Sequence, residues 1–121
     1  CAVGTGGTLA GLIRGLPSKK TIGFSVLKNG EFLKHDVQSW VGEKPNWEIV
    51  TDYHFGGYAK TTRALEQFIQ QFEERNNTPL EHVYTGKMMA GVYDLIQKGY
   101  FQKGLTILVL HTGGLQGKRL F

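Results

Sequence analysis

The residues best suited to chemistry lie in short glycine-bearing segments, and the first of these is near the start of the chain. The stretch "GTGGT" combines hydroxyl groups with backbone that glycine leaves free of a Cβ, so main-chain N–H groups can approach a ligand closely. The donors in this stretch belong to Thr5, Gly6, Gly7 and Thr8. A helical apolar period begins near Thr8, and the unpaired N–H groups and positive dipole of a helix start favour an anion, above all phosphate. An ordinary strand-to-helix turn without a ligand is the alternative, because neither G-x-G-x-x-G nor G-x-x-x-x-G-K-[ST] is present.

Two tyrosines lie in later segments of the same kind. Tyr58 belongs to "HFGGYAK" and Tyr84 to "YTGK". A phenol beside glycine can stack, hydrogen-bond or move a proton, although the residues alone favour a tyrosine that merely packs and bonds one partner. Thr85 and Thr112, the latter in "HTGG", could face the same ligand, although threonine is common at such positions.

Other chemistry is not indicated by the sequence. No serine lies in a G-x-S-x-G elbow, and the four histidines lack the spacing of metal ligands, so no metal site is predicted. His111 is a candidate for the wall of a site, since it directly precedes a glycine segment. Lys60 and Lys87 could meet an anion, but an exposed lysine usually meets only water.

The elements that must position these residues alternate along the chain. Apolar spacing and turn residues predict helices over 8–15, 30–43, 62–77 and 88–99, and strands over 21–27, 47–53 and 105–110. The side chains expected to face the core in the later helices are Phe32, Leu33, Val37, Trp40, Leu65, Phe68, Ile69, Phe72, Met88, Val92, Leu95 and Ile96. The stretch 105–110 is almost entirely apolar, which is typical of a strand buried on both faces.

This alternation predicts an α/β fold of three layers, α/β/α, in which helices cover both faces of a mostly parallel sheet. Ligands of such sheets bind beyond the carboxyl ends of the strands, so we expect that edge to gather the four glycine segments. The sequence contains no repeat or linker, and we treat 1–121 as a single α/β domain.

Composition and charge narrow the class of protein. Of 121 residues, 40% are apolar and 20% charged, as in ordinary soluble domains. The net charge of +4 comes with scattered lysines, so no nucleic-acid partner is expected, and the longest apolar run is too short to span a membrane. The single cysteine fits a reducing compartment. Because the chain starts with Cys1 in what looks like the end of a strand, we expect it to be part of a longer polypeptide, with a processed mature chain as the alternative.

Four segments together resemble one enzyme family. They are "AVGTGGTLAGL", "DYHFGGYAK", "HVYTGKMMAGVYDLI" and "ILVLHTGGLQG". In order and spacing they are similar to the C-terminal half of pyridoxal-phosphate enzymes of the tryptophan synthase β-subunit class (fold type II), and within it to the 1-aminocyclopropane-1-carboxylate deaminase and D-cysteine desulfhydrase family. The resemblance covers essentially the whole chain. It implies a pyridoxal 5′-phosphate cofactor, a small amino-acid substrate and a cytoplasmic homodimer.

The resemblance also implies roles for particular residues. The groups that would hold the cofactor's phosphate are Thr5, Gly6, Gly7 and Thr8. Tyr58 and Tyr84 match tyrosines of the family that face cofactor and substrate. Thr112 matches the position beside the pyridine nitrogen, and Thr85 is close to it.

The two threonines bear on the choice of substrate. Family members that act on the cyclopropane amino acid typically carry Glu in place of Thr85 and Leu in place of Thr112, whereas desulfhydrase-like members carry Thr at both. A neutral hydroxyl cannot hold the pyridine nitrogen protonated as a carboxylate can, which weakens the electron sink and suits the loss of a thiolate. We therefore expect D-cysteine-type β-elimination to pyruvate, ammonia and sulfide. Ring opening of 1-aminocyclopropane-1-carboxylate to 2-oxobutanoate and ammonia is the alternative.

The family's covalent machinery has no counterpart in this sequence. The Schiff-base lysine and the serine segment that binds the substrate carboxylate lie upstream of the glycine loop in the family, and no lysine here matches that motif. Covalent catalysis requires that amine, so we expect this chain alone to be inactive and to depend on the N-terminal half of the same polypeptide. An interpretation from another class is a complete, non-catalytic phosphate- or nucleotide-binding module.

Overall fold

A three-stranded parallel sheet organises the structure, a computed structural model that describes residues 1–118. The elements in chain order are β1 (Ala2–Val3), α1 (Gly7–Gly15), β2 (Thr21–Ser25), α2 (Phe32–Val41), β3 (Trp47–Val50), α3 (Arg63–Asn76), α4 (Thr85–Gln97) and a 3₁₀ turn (Leu115–Gly117). The central strand is β2: Phe24 lies opposite Ala2 of β1, and Thr21 lies opposite Trp47 of β3. Helices α1 and α2 connect successive parallel strands, as this pairing requires.

Helices cover both faces of the sheet, which confirms the three-layer α/β/α prediction. On one face, α1 and α2 share a core with the sheet that includes Leu9, Val37 and Ile49. On the other face, α4 packs on Phe24 of the central strand through residues that include Met88. Helix α3 packs against α4 rather than against the sheet. The glycine loop after β1 therefore lies at the carboxyl edge of a sheet that is buried on both sides.

The helices follow their predicted positions, but their buried faces are narrower than expected. The structure contradicts the inward placement of Phe32, Trp40 and Ile96, which are 54%, 48% and 51% exposed. In α2 the buried positions recur at every fourth residue, as Val37 and Val41 do, so residues at the margin of this stripe remain half in solvent. Among residues 1–118, no helix is both long and apolar enough to cross a membrane.

The predicted strand over 105–110 is wrong. This segment has no regular secondary structure, and Leu105 and Leu108 are 57% and 88% exposed. An apolar run indicates that burial is favourable, but a strand also needs a neighbouring strand to pair with. Among residues 1–118, the sheet ends at β1 and β3, and neither pairs with this segment.

Candidate functional site

The glycine loop connects β1 to α1 and presents an open helix start. Gly6 is the N-cap of α1 with a φ of 99°, in the left-handed region that favours glycine. A Cβ on Gly6 would also lie 2.7 Å from Val37 Cγ2, so space and conformation both select glycine. Among residues 1–118 no side chain caps this helix, and its first turn holds no acidic residue, while Gly7 and Thr8 are exposed. The N–H groups of this turn can therefore donate hydrogen bonds to an anion that comes from solvent.

The two predicted tyrosines meet beside this loop. A Cβ on Gly4 would lie 3.3 Å from Tyr84 Cε1, so the Tyr84 ring packs directly on the loop. The Tyr58 and Tyr84 hydroxyl oxygens are 2.7 Å apart, and the rings pack edge to face with centroids 5.9 Å apart. The hydrogen bond with Tyr58, then burial and the charge of Glu81, raises the pKa of Tyr84 to about 12. Tyr84 therefore keeps its proton at neutral pH.

The segment that carries Tyr58 is held from two sides. Gly56 N–H donates to His54 Nδ1 at 3.1 Å. Lys87 Nζ, on α4, donates to the Gly57 carbonyl oxygen at 2.7 Å. Lys87 is completely buried, and this burial lowers its pKa to about 8 against the opposing effect of the Glu81 carboxylate. The backbone before Tyr58 is thus tied to α4 through a buried amine.

Thr85 is also buried, and Glu81 engages its hydroxyl. Thr85 Oγ1 accepts from the Glu81 N–H at 3.1 Å and donates to Glu81 Oε1 at 3.1 Å. The same carboxylate accepts from the N–H groups of Val83, Tyr84 and Thr85 at 2.6, 2.9 and 2.6 Å, so it caps the start of α4, where the helix dipole favours an anion. The Thr85 hydroxyl donates its proton to the Glu81 carboxylate within this cap. The role of Thr85 near the pyridine nitrogen stays a prediction.

Thr112 is exposed in a turn that His111 holds. His111 Nδ1 accepts from the Gly113 N–H at 3.1 Å, and its Nε2 lies 2.9 Å from the Pro79 carbonyl oxygen. A Cβ on Gly114 would lie 3.8 Å from the Glu81 carboxyl carbon. The Thr112 turn therefore packs beside the start of α4, and its hydroxyl makes no hydrogen bond with another residue of the described part of the chain. The predicted role of Thr112 remains untested by this geometry.

Two residues at the centre of this arrangement were not predicted from the sequence. Glu81 was missed although a carboxylate just before a helix start is a recognisable cap signal. Lys87 is expected from the sequence only as an exposed lysine that could meet an anion, whereas the structure buries it four residues before Gly91 on the buried face of α4. Among residues 1–118, no three His, Cys, Asp or Glu side chains come together to hold a metal.

Fold and site together define a parallel α/β protein in which an open helix start lies against a hydrogen-bonded tyrosine pair. No family model matches the chain. A Pyrococcus furiosus protein named "Putative 1-aminocyclopropane-1-carboxylate deaminase" is 38% identical to it, over 96% of this chain and 39% of that protein. A protein of the same name from Pyrococcus horikoshii is 36% identical over the same shares of the two chains. A Bradyrhizobium diazoefficiens protein named "1-aminocyclopropane-1-carboxylate deaminase" is 35% identical over 54% of this chain and 20% of that protein.

A solved structure described as that of an ACC deaminase homologue has the same fold. It matches with a TM-score of 0.81 at 33% identity, over 96% of this chain and 39% of that one. The resemblance stated from the sequence is confirmed: nearly the whole chain is homologous to part of the proteins of the 1-aminocyclopropane-1-carboxylate deaminase family. It spans about two fifths of the length of the Pyrococcus relatives.

Proposed function

We propose that this chain supplies the cofactor-phosphate loop and one wall of the substrate site in a pyridoxal-phosphate-dependent enzyme that deaminates a small amino acid. The observation that carries the proposal is the packing of the Tyr84 ring on Gly4, which joins an anion-binding helix start to the tyrosine pair. The site of the cofactor phosphate and the site of proton exchange with the substrate would then be separated by no more than the length of one side chain.

The residues of the glycine loop suit a phosphate ester. No side chain of the described residues caps the start of α1, its first turn contains no acidic residue, and it carries the positive end of the helix dipole. The exposed hydroxyls of Thr5 and Thr8 make no hydrogen bond with other residues in the described range 1–118, so they are available as donors. Pyridoxal phosphate, when bound, supplies an electron sink that stabilises negative charge at the α-carbon of an amino acid.

The tyrosine pair would hold and move protons near that carbon. Tyr84, with a pKa of about 12, retains its proton at neutral pH and orients the hydroxyl of Tyr58. Tyr58 is 52% exposed, so its hydroxyl can reach a substrate while it stays hydrogen-bonded to Tyr84. This division assigns orientation to Tyr84 and proton exchange with the substrate to Tyr58.

For the substrate, we favour β-elimination from D-cysteine. The Glu81 carboxylate is buried and satisfied by N–H groups, so the start of α4 presents no carboxylate to a pyridine nitrogen. A neutral surrounding gives a weaker electron sink, which is sufficient to expel a thiolate. Ring opening of 1-aminocyclopropane-1-carboxylate is the second candidate, and the names of the relatives favour it.

The loop assignment is tested by placing a negative charge in the loop of the complete polypeptide that contains this chain. A Cβ on Gly7 would meet no side chain or neighbouring loop of the described residues 1–118 within 4 Å, so both Gly7→Asp and the neutral, isosteric Gly7→Asn should fold. We expect Gly7→Asp to bind pyridoxal phosphate at least about tenfold more weakly than Gly7→Asn, because like charges repel at the helix start. The readout is the visible absorbance of bound cofactor. Equal affinity of the two variants would place the phosphate elsewhere.

The substrate assignment is tested separately, on the unaltered polypeptide. D-Cysteine should release sulfide and pyruvate faster than the cyclopropane amino acid releases 2-oxobutanoate, each compared as kcat/KM. Faster turnover of the cyclopropane substrate would leave the phosphate loop in place but would replace β-elimination by ring opening.

A further inference from the structure

One buried charged group, the amine of Lys87, has no role in the proposed function. Lys87 is 0% exposed and occupies the third residue of α4. This position is unfavourable for an ammonium twice over, because burial disfavours charge and the start of a helix repels cations. Within residues 1–118 it forms no ion pair, and the acidic group whose charge acts on it is Glu81. Because its burial at a helix start is unfavourable, the contact that the Lys87 amine makes is of particular interest.

The amine holds the backbone of the Tyr58 segment. Its Nζ donates to the carbonyl oxygen of Gly57, 30 residues away in the chain and directly before Tyr58. Gly56 and Gly57 have φ values of 100° and 127°, which only glycine adopts readily, so this backbone has little intrinsic rigidity. The Tyr58 side chain is half exposed, so its packing on the Tyr84 ring holds the segment only in part.

We propose that Lys87 is a positioning residue that fixes the Gly57 carbonyl so that the Tyr58 hydroxyl meets that of Tyr84. The chemical consequence, though not the backbone contact, rests on the proposed function. Lys87 does not touch the substrate; it determines where Tyr58 does. The competing explanations are a purely structural amine, which stabilises the whole fold, and a reactive amine, which acts independently of Tyr58.

Hydrogen exchange of the cofactor-free polypeptide tests the backbone contact. Lys87→Met keeps an unbranched side chain of similar length and removes the donor. We expect amide exchange across 54–60 to become at least about tenfold faster, with α2 unchanged. The matched control is Lys60→Met, an exposed lysine of the same segment, which should change neither region. Unchanged exchange at 54–60 in Lys87→Met, or an equal increase in α2, would overturn the proposal.

A double-mutant cycle tests whether Lys87 acts through Tyr58. In the loaded enzyme, Lys87→Met should lower kcat by about tenfold, because small displacements of a reacting group are costly. Lys87→Met combined with Tyr58→Phe should be no slower than Tyr58→Phe alone. If the reductions in kcat of the two single variants multiply in the double variant, the amine acts independently of Tyr58 and the proposal is wrong. If the wild-type polypeptide has no deaminase activity, the proposed function fails, while the exchange experiment still decides the role of Lys87.

Discussion

At the scale of single residues, one carboxylate acts on two ionisable groups of the site. Glu81 favours the protonated form of both its neighbours, the phenol of Tyr84 and the amine of Lys87. Burial favours the neutral form of each. For Tyr84 the neutral form is the protonated one, so these effects add to that of the hydrogen bond with Tyr58 and the pKa rises to about 12. For Lys87 they oppose each other, burial prevails, and the pKa falls to about 8.

The lowered pKa of Lys87 predicts how stability depends on pH. Between about pH 8 and the ordinary value of 10.5, the unfolded chain binds a proton at this amine and the native state does not. The contribution of Lys87 to stability must therefore rise with pH in this window, by about 3 kcal/mol in total. We expect the free energy of urea unfolding of the wild type, minus that of Lys87→Met, to increase by this amount from pH 7 to 10.5. Tyr84 and Tyr100 also have raised pKa values and act in the opposite sense, but they do so in both proteins and cancel. A difference that is flat with pH would show that Lys87 is not buried as a neutral amine.

At the scale of elements, two glycines inside helices differ in the space that their surroundings leave for a side chain. A Cβ on Gly91 of α4 would lie 2.6 Å from Phe24 Cδ1 and 3.2 Å from Tyr53 Cδ2, whereas one on Gly11 of α1 would meet no neighbour within 4 Å among residues 1–118. Alanine improves helix propensity at both sites by about 1 kcal/mol, but at Gly91 overpacking should cost more, about 1–3 kcal/mol. We expect thermal unfolding to show Gly11→Ala stabilised and Gly91→Ala destabilised. Stabilisation of both would mean that α4 does not approach the sheet this closely.

The elements also show how far sequence reasoning reaches. The spacing of Leu65, Ile69 and Phe72 predicts α3, because one regular face carries its packing. The start of α4 at Thr85 was placed three residues late, since it depends on the Glu81 carboxylate as a cap rather than on apolar period. The approach of the Tyr84 ring to the glycine loop agrees with the carboxyl-edge rule for parallel sheets. The burial of Lys87 follows from how α4 meets the loop after β3, which no local pattern contains.

At the scale of the whole molecule, apolar side chains and the edges of the sheet lie uncovered by other residues of the described range 1–118. The first strand has two residues and, within residues 1–118, pairs only with β2. The segment 105–110 has exposed apolar side chains, with Leu108 at 88%. Contiguous apolar surface and unpaired strand edges favour association. Because the chain spans 39% of the length of its Pyrococcus relatives, we propose that further residues of the same polypeptide cover this surface.

This proposal predicts opposite effects of one substitution in two contexts. In the 121-residue chain, Leu108→Lys removes exposed apolar surface at a cost to folding within about 0.5 kcal/mol, so sedimentation should show less self-association. In the complete polypeptide the same change would bury an unpaired charge, and we expect a loss of about 2–4 kcal/mol in unfolding free energy. The control is Gln102→Lys, at an exposed polar position of the preceding segment, which adds the same charge without removing apolar surface. It should change neither the self-association of the 121-residue chain nor the unfolding free energy of the complete polypeptide. Leu108→Lys without effect on the complete polypeptide would mean that the segment stays open to solvent there, because a charge costs stability only where water has been excluded.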